Sequence, residues 1–236
     1  MLVSGENLIV SGINIQVVRK NIKNINFSVR AANGQVRISA PKYITDEALE
    51  AAVLSRMGWI HKRIQTIKSL PILQVKKYVT SETHDFMGKQ YTLEVVEQSG
   101  KPQMQLQSSG TLKMCIRPNT KLVNRERVLN EWYRAELKMR IPVLIEKWQP
   151  IIGKKVSEWS VKKMKTRWGT CNINKKRIWL NLELAKQPEA CLEYVVVHEM
   201  THLIERNHNK HFRRLLDSFI PSWENIERDL KMIELA

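Results

Sequence analysis

The chain has 236 residues, a net charge of +16 and three cysteines. This length allows one large domain or two small ones, with a buried core that needs no disulfide. Because the cysteines are odd in number and widely spaced, we expect neither a disulfide framework nor a zinc ribbon, and we predict a cytoplasmic protein. No window approaches about 18 apolar residues, and the N-terminus lacks a basic segment followed by an apolar run, so neither a membrane span nor an export signal is predicted.

The first 122 residues are predicted to be rich in β-strands. Residues 13–41 alternate between apolar and polar positions in three segments, and Asn33-Gly34 is a hairpin signal between the last two. One long helix is predicted from Thr45 or Asp46, either of which can cap it, to about Lys68, with Pro71 ending it. Turn signals then separate further strands at 84–98, 103–107 and 111–118.

Residues 123–236 are predicted to be mainly helical. A helix from about Val123 to Trp148 is expected to kink at Pro142 and to be closed by Pro150 and Gly153. Two strands then flank a tight segment at 167–172, and two short helices split by Pro221 end the chain. We find no internal repeat, so the predicted fold class is α+β, with a β-rich half at 1–122 and a helical half that contains a short β-hairpin.

The segment His198-Glu199-Met200-Thr201-His202 carries the strongest functional pattern. Pro188 and Glu189 suit the start of a helix that would run through it. Two histidines four residues apart on a helix project to one side and can bind one metal ion. The competing interpretation is an amphipathic helix whose histidines are only partly buried and hydrogen-bonded.

A third histidine follows six residues after His202, at His208. Many zinc proteases place a third ligand at this spacing, with a glycine at the bend, whereas this chain has Glu205 there. Asn207 tolerates left-handed backbone, so we expect it to end the helix and direct His208 back to the metal. His211 is a second candidate that spacing alone does not exclude.

Three neutral imidazoles would leave Zn²⁺ with its full charge and one open position, at which the pKa of a bound water falls to about 7. Glu199 lies beside His198 in sequence but faces another direction around the helix, where a general base belongs. Manganese, cobalt or nickel would also suit a histidine site.

Half of the net charge lies in one block. Residues 154–177 contain nine Lys or Arg residues and one acid, Glu158, for a net charge of +8. This block directly precedes the metal helix. It is either a solvated strand face or a cationic rim, formed by Lys162, Lys163 and Lys165, that attracts a polyanion or a phosphorylated substrate.

Several motifs in one order resemble the YgjP-like metallopeptidase family, which is similar in its core to SprT-like proteases. They are Arg167 to Cys171, Leu180-Asn181, Tyr194 to Glu199, Asn207-His208 with Phe212, and Pro221 with Trp223. The resemblance covers about residues 15–232, which suggests one continuous domain, and it implies a zincin-like core in 123–236. It also implies zinc ligands at His198, His202 and His208, favouring His208 over His211, and a catalytic glutamate at Glu199.

Other residues near these motifs have two interpretations each. Arg167 is either a group that stabilises an oxyanion or binds phosphate, or a structural partner of an acid on the metal helix. Cys171 is expected to be a small buried hydrophobic residue and not a ligand. Tyr194 either packs in the core or reaches the site with its hydroxyl. Trp179 and Trp223 are expected to anchor the core.

The sequence therefore predicts a hydrolase with one zinc ion per chain, most simply a metallopeptidase acting on polypeptides. Since SprT-like relatives act on proteins bound to DNA, the block at 154–177 also suggests a nucleic-acid partner. A nucleotide phosphohydrolase of the pyrophosphatase type is the alternative activity, because a metal-activated water serves both reactions. A non-catalytic nucleic-acid-binding module with structural zinc is the alternative from another class.

Overall fold

The structure, a computed structural model, describes residues 6–29, 34–69 and 76–233. The chain divides into two units, residues 1–75 and 76–236, and each unit has its own hydrophobic core. The sequence pattern predicts a boundary after residue 122. In the structure the strands at 83–116 share one core with the long helix that begins at Leu122, so they belong to the second unit.

The first unit contains a four-stranded sheet and two helices. The strand order is β1-β2-β4-β3, in which β2 and β4 are parallel and the outer pairs are antiparallel. The antiparallel pairing of β3 with β4 confirms the predicted hairpin, whose Asn33 lies outside the described residues. The elements are β1 Glu6–Val10, β2 Ile13–Lys20, β3 Asn26–Val29, β4 Val36–Pro41, α1 Asp46–Ser55 and α2 Met57–Ser69.

The prediction of one long helix after this sheet is wrong. Thr45 caps its start as expected, accepting a hydrogen bond from the backbone N–H of Ala48. The helix is interrupted at Arg56, whose N–H donates to the carbonyl of Val53 in a tighter turn (3.0 Å). Gly58, a poor helix former, follows two residues later. The predicted stop at Pro71 lies outside the described residues.

The second unit begins with another four-stranded sheet that has the same topology as the first. Its order is β5-β6-β8-β7, with β6 and β8 parallel and the outer pairs antiparallel. The shared strand order is not visible as a sequence repeat, because strands can pair in the same order without a common motif. The strands are β5 Thr83–Phe86, β6 Lys89–Glu97, β7 Gln103–Leu106 and β8 Thr111–Ile116.

Helix α3, Leu122–Ile152, forms the centre of this unit. It extends four residues beyond the predicted end at Trp148. Pro150 lies in the last turn, so its ring and missing N–H disturb only the final residues of the helix. Gly153 ends the helix in the left-handed conformation (φ 69°) and donates its N–H to Gln149, as the sequence predicts. Leu129, Tyr133 and Leu137 are among its buried side chains.

A three-stranded sheet and three more helices complete the unit. The sheet order is β10-β11-β9, with β10 antiparallel and β9 parallel to β11. The prediction that the strands on either side of 167–172 form the hairpin is wrong in its pairing: those strands are β9 and β11, and residues 169–172 of the tight segment form β10, which makes the antiparallel pair with β11. Strand β11 ends earlier than the pattern indicates, because Asn181 caps a 3₁₀ helix with its side chain. The elements are β9 Glu158–Lys162, β10 Gly169–Asn172, β11 Arg177–Asn181, the 3₁₀ helix Leu182–Lys186, α4 Glu189–Thr201, α5 Lys210–Phe219 and α6 Trp223–Met232.

Helix α4 is enclosed by α3, α5, α6 and the third sheet. Most of its residues are buried, among them Leu192, Val196 and Met200. No helix in the described part of the chain is both long and apolar enough to cross a membrane.

Candidate metal centre

His198 and His202 lie at the C-terminal end of α4. The helix ends at Thr201, and the backbone of His202 stays in the right-handed helical region (φ −61°). Packing holds this end in place, since Val197 and Met200 are fully buried and the hydroxyl of Thr201 donates to the carbonyl of Val197 at 2.7 Å. Both histidines therefore project from a helix end that buried packing holds in place.

The chain turns back after α4 without the predicted left-handed residue. No residue between α4 and α5 has a positive φ, so the expectation that Asn207 forms the bend is wrong. The turn is made by backbone bonds that tighten the helix end, and the Glu205 carboxylate then accepts the N–H of Asn207 (3.0 Å). Asn209 caps α5 by accepting the N–H of Phe212 (3.0 Å). Side-chain hydrogen bonds thus replace the usual glycine.

Three imidazoles converge at this turn. The ligand atoms of His198, His202 and His208 lie within 4.8 Å of one another, and the Nε2 atoms of His198 and His208 are 2.9 Å apart. His202 Nδ1 lies 3.1 Å from the carbonyl oxygen of Glu205, which holds the ring with Nε2 free to bind a metal. His211 is exposed and is not part of this cluster.

Two of the imidazoles, those of His198 and His202, are held in the neutral form that binds metals. Burial, together with the neighbouring His202 and His208, lowers the pKa of His198 to about 3. Burial is also the main cause that lowers the pKa of His202. A metal ion binds the neutral imidazole, so these two rings do not have to release a proton before they bind the metal at pH 7. Three imidazole nitrogens are a donor set that fits zinc in a catalytic site.

Glu199 lies with its side chain against β10. Its side chain is 5% exposed, and burial raises the pKa of its carboxyl to about 8, with the charge of Arg167 acting in the opposite direction. A divalent cation nearby would favour the charged form. A Cβ built on Gly169 would lie 2.5 Å from Glu199 Oε1, so only glycine leaves room for this carboxylate.

The three histidines and Glu199 line one open cavity of about 1030 Å³. Strand β10, which is an edge strand of its sheet, forms one wall, and α4 with the turn after it forms another. Arg167, Arg206 and Lys231 contribute positive charge to the lining.

Comparison with protein families explains this arrangement. Residues 23–232 match the model of the YgjP-like, metallopeptidase domain family. The chain belongs to this family. The family model confirms the resemblance drawn from the sequence motifs, and the three-histidine cluster lies within the matched residues.

Among solved structures, the chain is similar to the metallopeptidase zymogen of Pyrococcus abyssi abylysin. The sequence identity is 20%, the similarity covers 38% of this chain and 90% of that chain, and the TM-score is 0.36. A comparison with curated proteins gives no match.

Within this YgjP-like site, Tyr194 both packs in the core and reaches a ligand. Its side chain is 3% exposed, its ring stacks on Trp223 with centroids 6.5 Å apart, and its hydroxyl lies 3.2 Å from His198 Nδ1. A partner on Nδ1 orients the ring and leaves Nε2 for the metal. Trp223 is a buried core residue, as predicted.

Tyr194→Phe is therefore expected to weaken zinc binding by about 10-fold, the lower end of the effect of losing such a partner. Competition with a chromophoric chelator measures the change. Tyr91→Phe is the matched control, since the hydroxyl of Tyr91 makes no hydrogen bond to another described residue. Equal zinc affinity of the parent and both variants would contradict the role of Tyr194.

Cys171 lines the cavity but does not belong to the histidine cluster. It is half-buried and not fully buried as the sequence suggested. Burial, with a smaller effect of the Glu199 charge, raises the pKa of its thiol to about 12.

Iodoacetamide is expected to alkylate Cys171 at pH 8 roughly 50-fold more slowly than a free cysteine, because little of the Cys171 thiol is ionised at this pH. The thiolate of a thiol with a high pKa is more nucleophilic, but this offsets only part of the effect of its low concentration. The rate should keep rising through pH 9 to 11. Mass spectrometry of the Cys171 peptide measures it, and a plateau already at pH 9 would show an ordinary thiol.

The lysines predicted to form a cationic rim lie elsewhere. Lys162 sits over the ring of Trp179, Lys163 pairs with Glu126 at 3.1 Å, and neither they nor Lys165 are among the residues that line the cavity. Strand β9, which leads into this group, is at the edge of the sheet opposite β10. Trp179 is half-buried, and its ring also contacts Arg177, so it is not a core anchor.

Of the cations that line the cavity, the sequence analysis pointed to Arg167 but not to Arg206 or Lys231. Arg206 precedes the third histidine, and residues 206–214 contain four Lys or Arg residues and no acid. This run was visible in the sequence but is shorter than the block at 154–177. Lys231 lies 23 residues after His208, and only the packing of α6 brings it to the cavity.

Proposed function

We propose that the protein is a zinc-dependent peptidase that cleaves extended polypeptide segments. The observation that carries the proposal is the placement of three imidazoles and one buried carboxylate on the wall of a single open cavity. The family supports a metal-dependent peptidase, and the residues in this cavity support the choice of zinc and the roles given below.

Zinc held by His198, His202 and His208 would supply a Lewis acid that polarises the peptide carbonyl and makes water acidic near neutral pH. Glu199 accepts a proton from the attacking water at its carboxylate and returns it to the leaving amine nitrogen. Its buried position favours this task, because a carboxylate whose pKa is raised accepts and releases protons near pH 7.

Arg167 contributes charge close to the reacting groups. Asn181 holds the loop that carries it, donating from its side-chain amide to the carbonyls of Met164 and Arg167, both at 2.8 Å. The Arg167 side chain is exposed in the cavity, so it is placed to stabilise negative charge that develops on the carbonyl oxygen.

Strand β10 favours a polypeptide over a nucleotide as the substrate. It is an edge strand, and Gly169 to Asn172 line the cavity, so its unpaired backbone groups can bind an extended chain alongside the metal. A nucleotide would make no use of this edge.

The test is a screen of the zinc-loaded protein against a peptide library and, in parallel, against nucleoside triphosphates. We expect cleavage of peptides, with a new amine for each bond broken, and no release of phosphate or pyrophosphate. Release of pyrophosphate or phosphate with intact peptides would replace this proposal by a phosphohydrolase. Stoichiometric zinc without turnover of either class would favour a binding module.

A further inference from the structure

A second cavity meets the first at the metal centre. It has a volume of about 520 Å³ and lies between α5 and α6, which contribute Phe212 and Trp223 to its walls. Both cavities are lined by His198 and His208, and both also include Lys231. The candidate metal site is therefore the junction of two arms: the first arm runs along β10, and the second arm runs between α5 and α6.

Both arms carry arginines that have no ionic partner. Arg167 and Arg206 line the first arm, and Arg213 and Arg228 line the second. None of the four forms an ion pair with a residue that the structure describes. Other cations of this unit are paired, such as Lys163 with Glu126.

The acids in the two arms do not balance these charges. Glu227 is paired with Lys231 at 2.7 Å on the same helix. Glu224 is then the one remaining acid among the described lining residues apart from the proposed base, Glu199. Besides Arg167, which is assigned to the carbonyl oxygen, the arms thus present three available guanidinium groups to whatever crosses the metal site: Arg206 in the first arm, and Arg213 and Arg228 in the second.

We infer that the two arms bind a polypeptide segment with acidic side chains on both sides of the bond to be cleaved. This inference rests on the peptidase function proposed above and names its substrate class. Arginine suits the task, because its planar guanidinium binds a carboxylate through two parallel hydrogen bonds.

A nucleic acid fits these arms less well. Single strands are held by stacking on accessible aromatic rings as well as by charge. In the second arm the rings of Phe212 and Trp223 are 1% and 5% exposed, so neither offers a face for a base.

The test measures binding to the zinc-loaded Glu199→Gln protein, which keeps the proposed ligands. Three labelled peptides of equal length carry Glu, Gln or Lys at the same positions on both sides of one central bond. By fluorescence anisotropy, we expect the Glu peptide to bind about 10-fold more tightly than the Gln peptide in 50 mM salt, and the Lys peptide to bind most weakly. The difference between Glu and Gln peptides should shrink in 300 mM salt.

Charge reversal locates the effect. The double variant Arg213→Glu with Arg228→Glu should lose the preference for Glu on one side of the central bond and keep the preference on the other side. Two further peptides, each with Glu on only one side of the bond, measure the two preferences separately. Lys210→Glu with Arg214→Glu is the matched control, because it makes the same change in net charge nearby at residues outside both linings. Thermal unfolding of both double variants identifies any loss of folding.

The outcomes separate this inference from the peptidase proposal. Equal binding of Glu and Gln peptides, or equal effects of the two double variants, would overturn the inference even if the parent protein cleaves peptides. A single-stranded oligonucleotide that binds more tightly than the Glu peptide through Arg213 and Arg228 would overturn it as well. Preferential binding of the Glu peptide by a protein that cleaves no peptide would support the inference and reject the peptidase.

Discussion

Glu199→Gln is expected to reduce peptide hydrolysis by about 10²–10⁴-fold while the protein keeps its zinc. Glutamine has nearly the same shape as glutamate but cannot accept the proton of the attacking water. The ligand atoms belong to the three histidines and not to Glu199, so metal affinity should change little. Steady-state rates on the best library peptide, with zinc content measured on the same sample, give both results.

Two outcomes would contradict this role of Glu199. Hydrolysis by the variant at the parent rate would show that another group takes the proton. Loss of zinc together with activity would show that Glu199 acts mainly on the metal site. Glu205→Gln is a useful control, because this glutamate is close in sequence but bonds to the turn backbone, outside the histidine cluster.

Gly169→Ala is expected to have the second largest effect. The added Cβ would lie 2.5 Å from Oε1 and 2.7 Å from Cγ of Glu199, closer than real Cβ contacts allow. Either the strand or the carboxylate must move, so we expect activity to fall by about 10²-fold. The free energy of unfolding should fall by about 1–3 kcal/mol, as for other overpacked sites.

A double-mutant cycle tests the physical reason. In a Glu199→Ala background the atoms that clash are absent, so Gly169→Ala should cost little further stability. Chemical denaturation of the four proteins measures this coupling, and an unchanged penalty would place the clash elsewhere. Gly58→Ala is the control for activity, because an added Cβ there meets no atom within 4 Å. It should leave hydrolysis unchanged.

The local parts of the site could be predicted from the sequence. His198 and His202 share one helical side because of their spacing, and burial of α4 follows from its apolar residues. His208 needed more than spacing, since His211 competes for the same place. The path of the turn was not predictable, because the Glu205 carboxylate and the Asn209 cap replace the glycine or left-handed residue that the sequence rule expects.

The parts that depend on contacts distant in sequence were missed. Gly169 lies 30 residues before Glu199, and only the packing of β10 against α4 shows why a side chain there would clash. The charge analysis chose Lys162, Lys163 and Lys165 because they form a dense block, but local density does not determine which cations face a cavity. Arg213 and Arg228 become neighbours only when α5 and α6 pack together.

The most direct test of the account is the metal content of the protein purified without added metal and then titrated with zinc. We expect one zinc ion per chain in the parent, one in Glu199→Gln, and none retained after dialysis in the variant in which His198, His202 and His208 are all replaced by alanine. Elemental analysis by mass spectrometry measures all three proteins. Zinc retained by the triple variant, or a parent protein that binds no divalent transition metal, would contradict the three-histidine centre on which the proposed function depends.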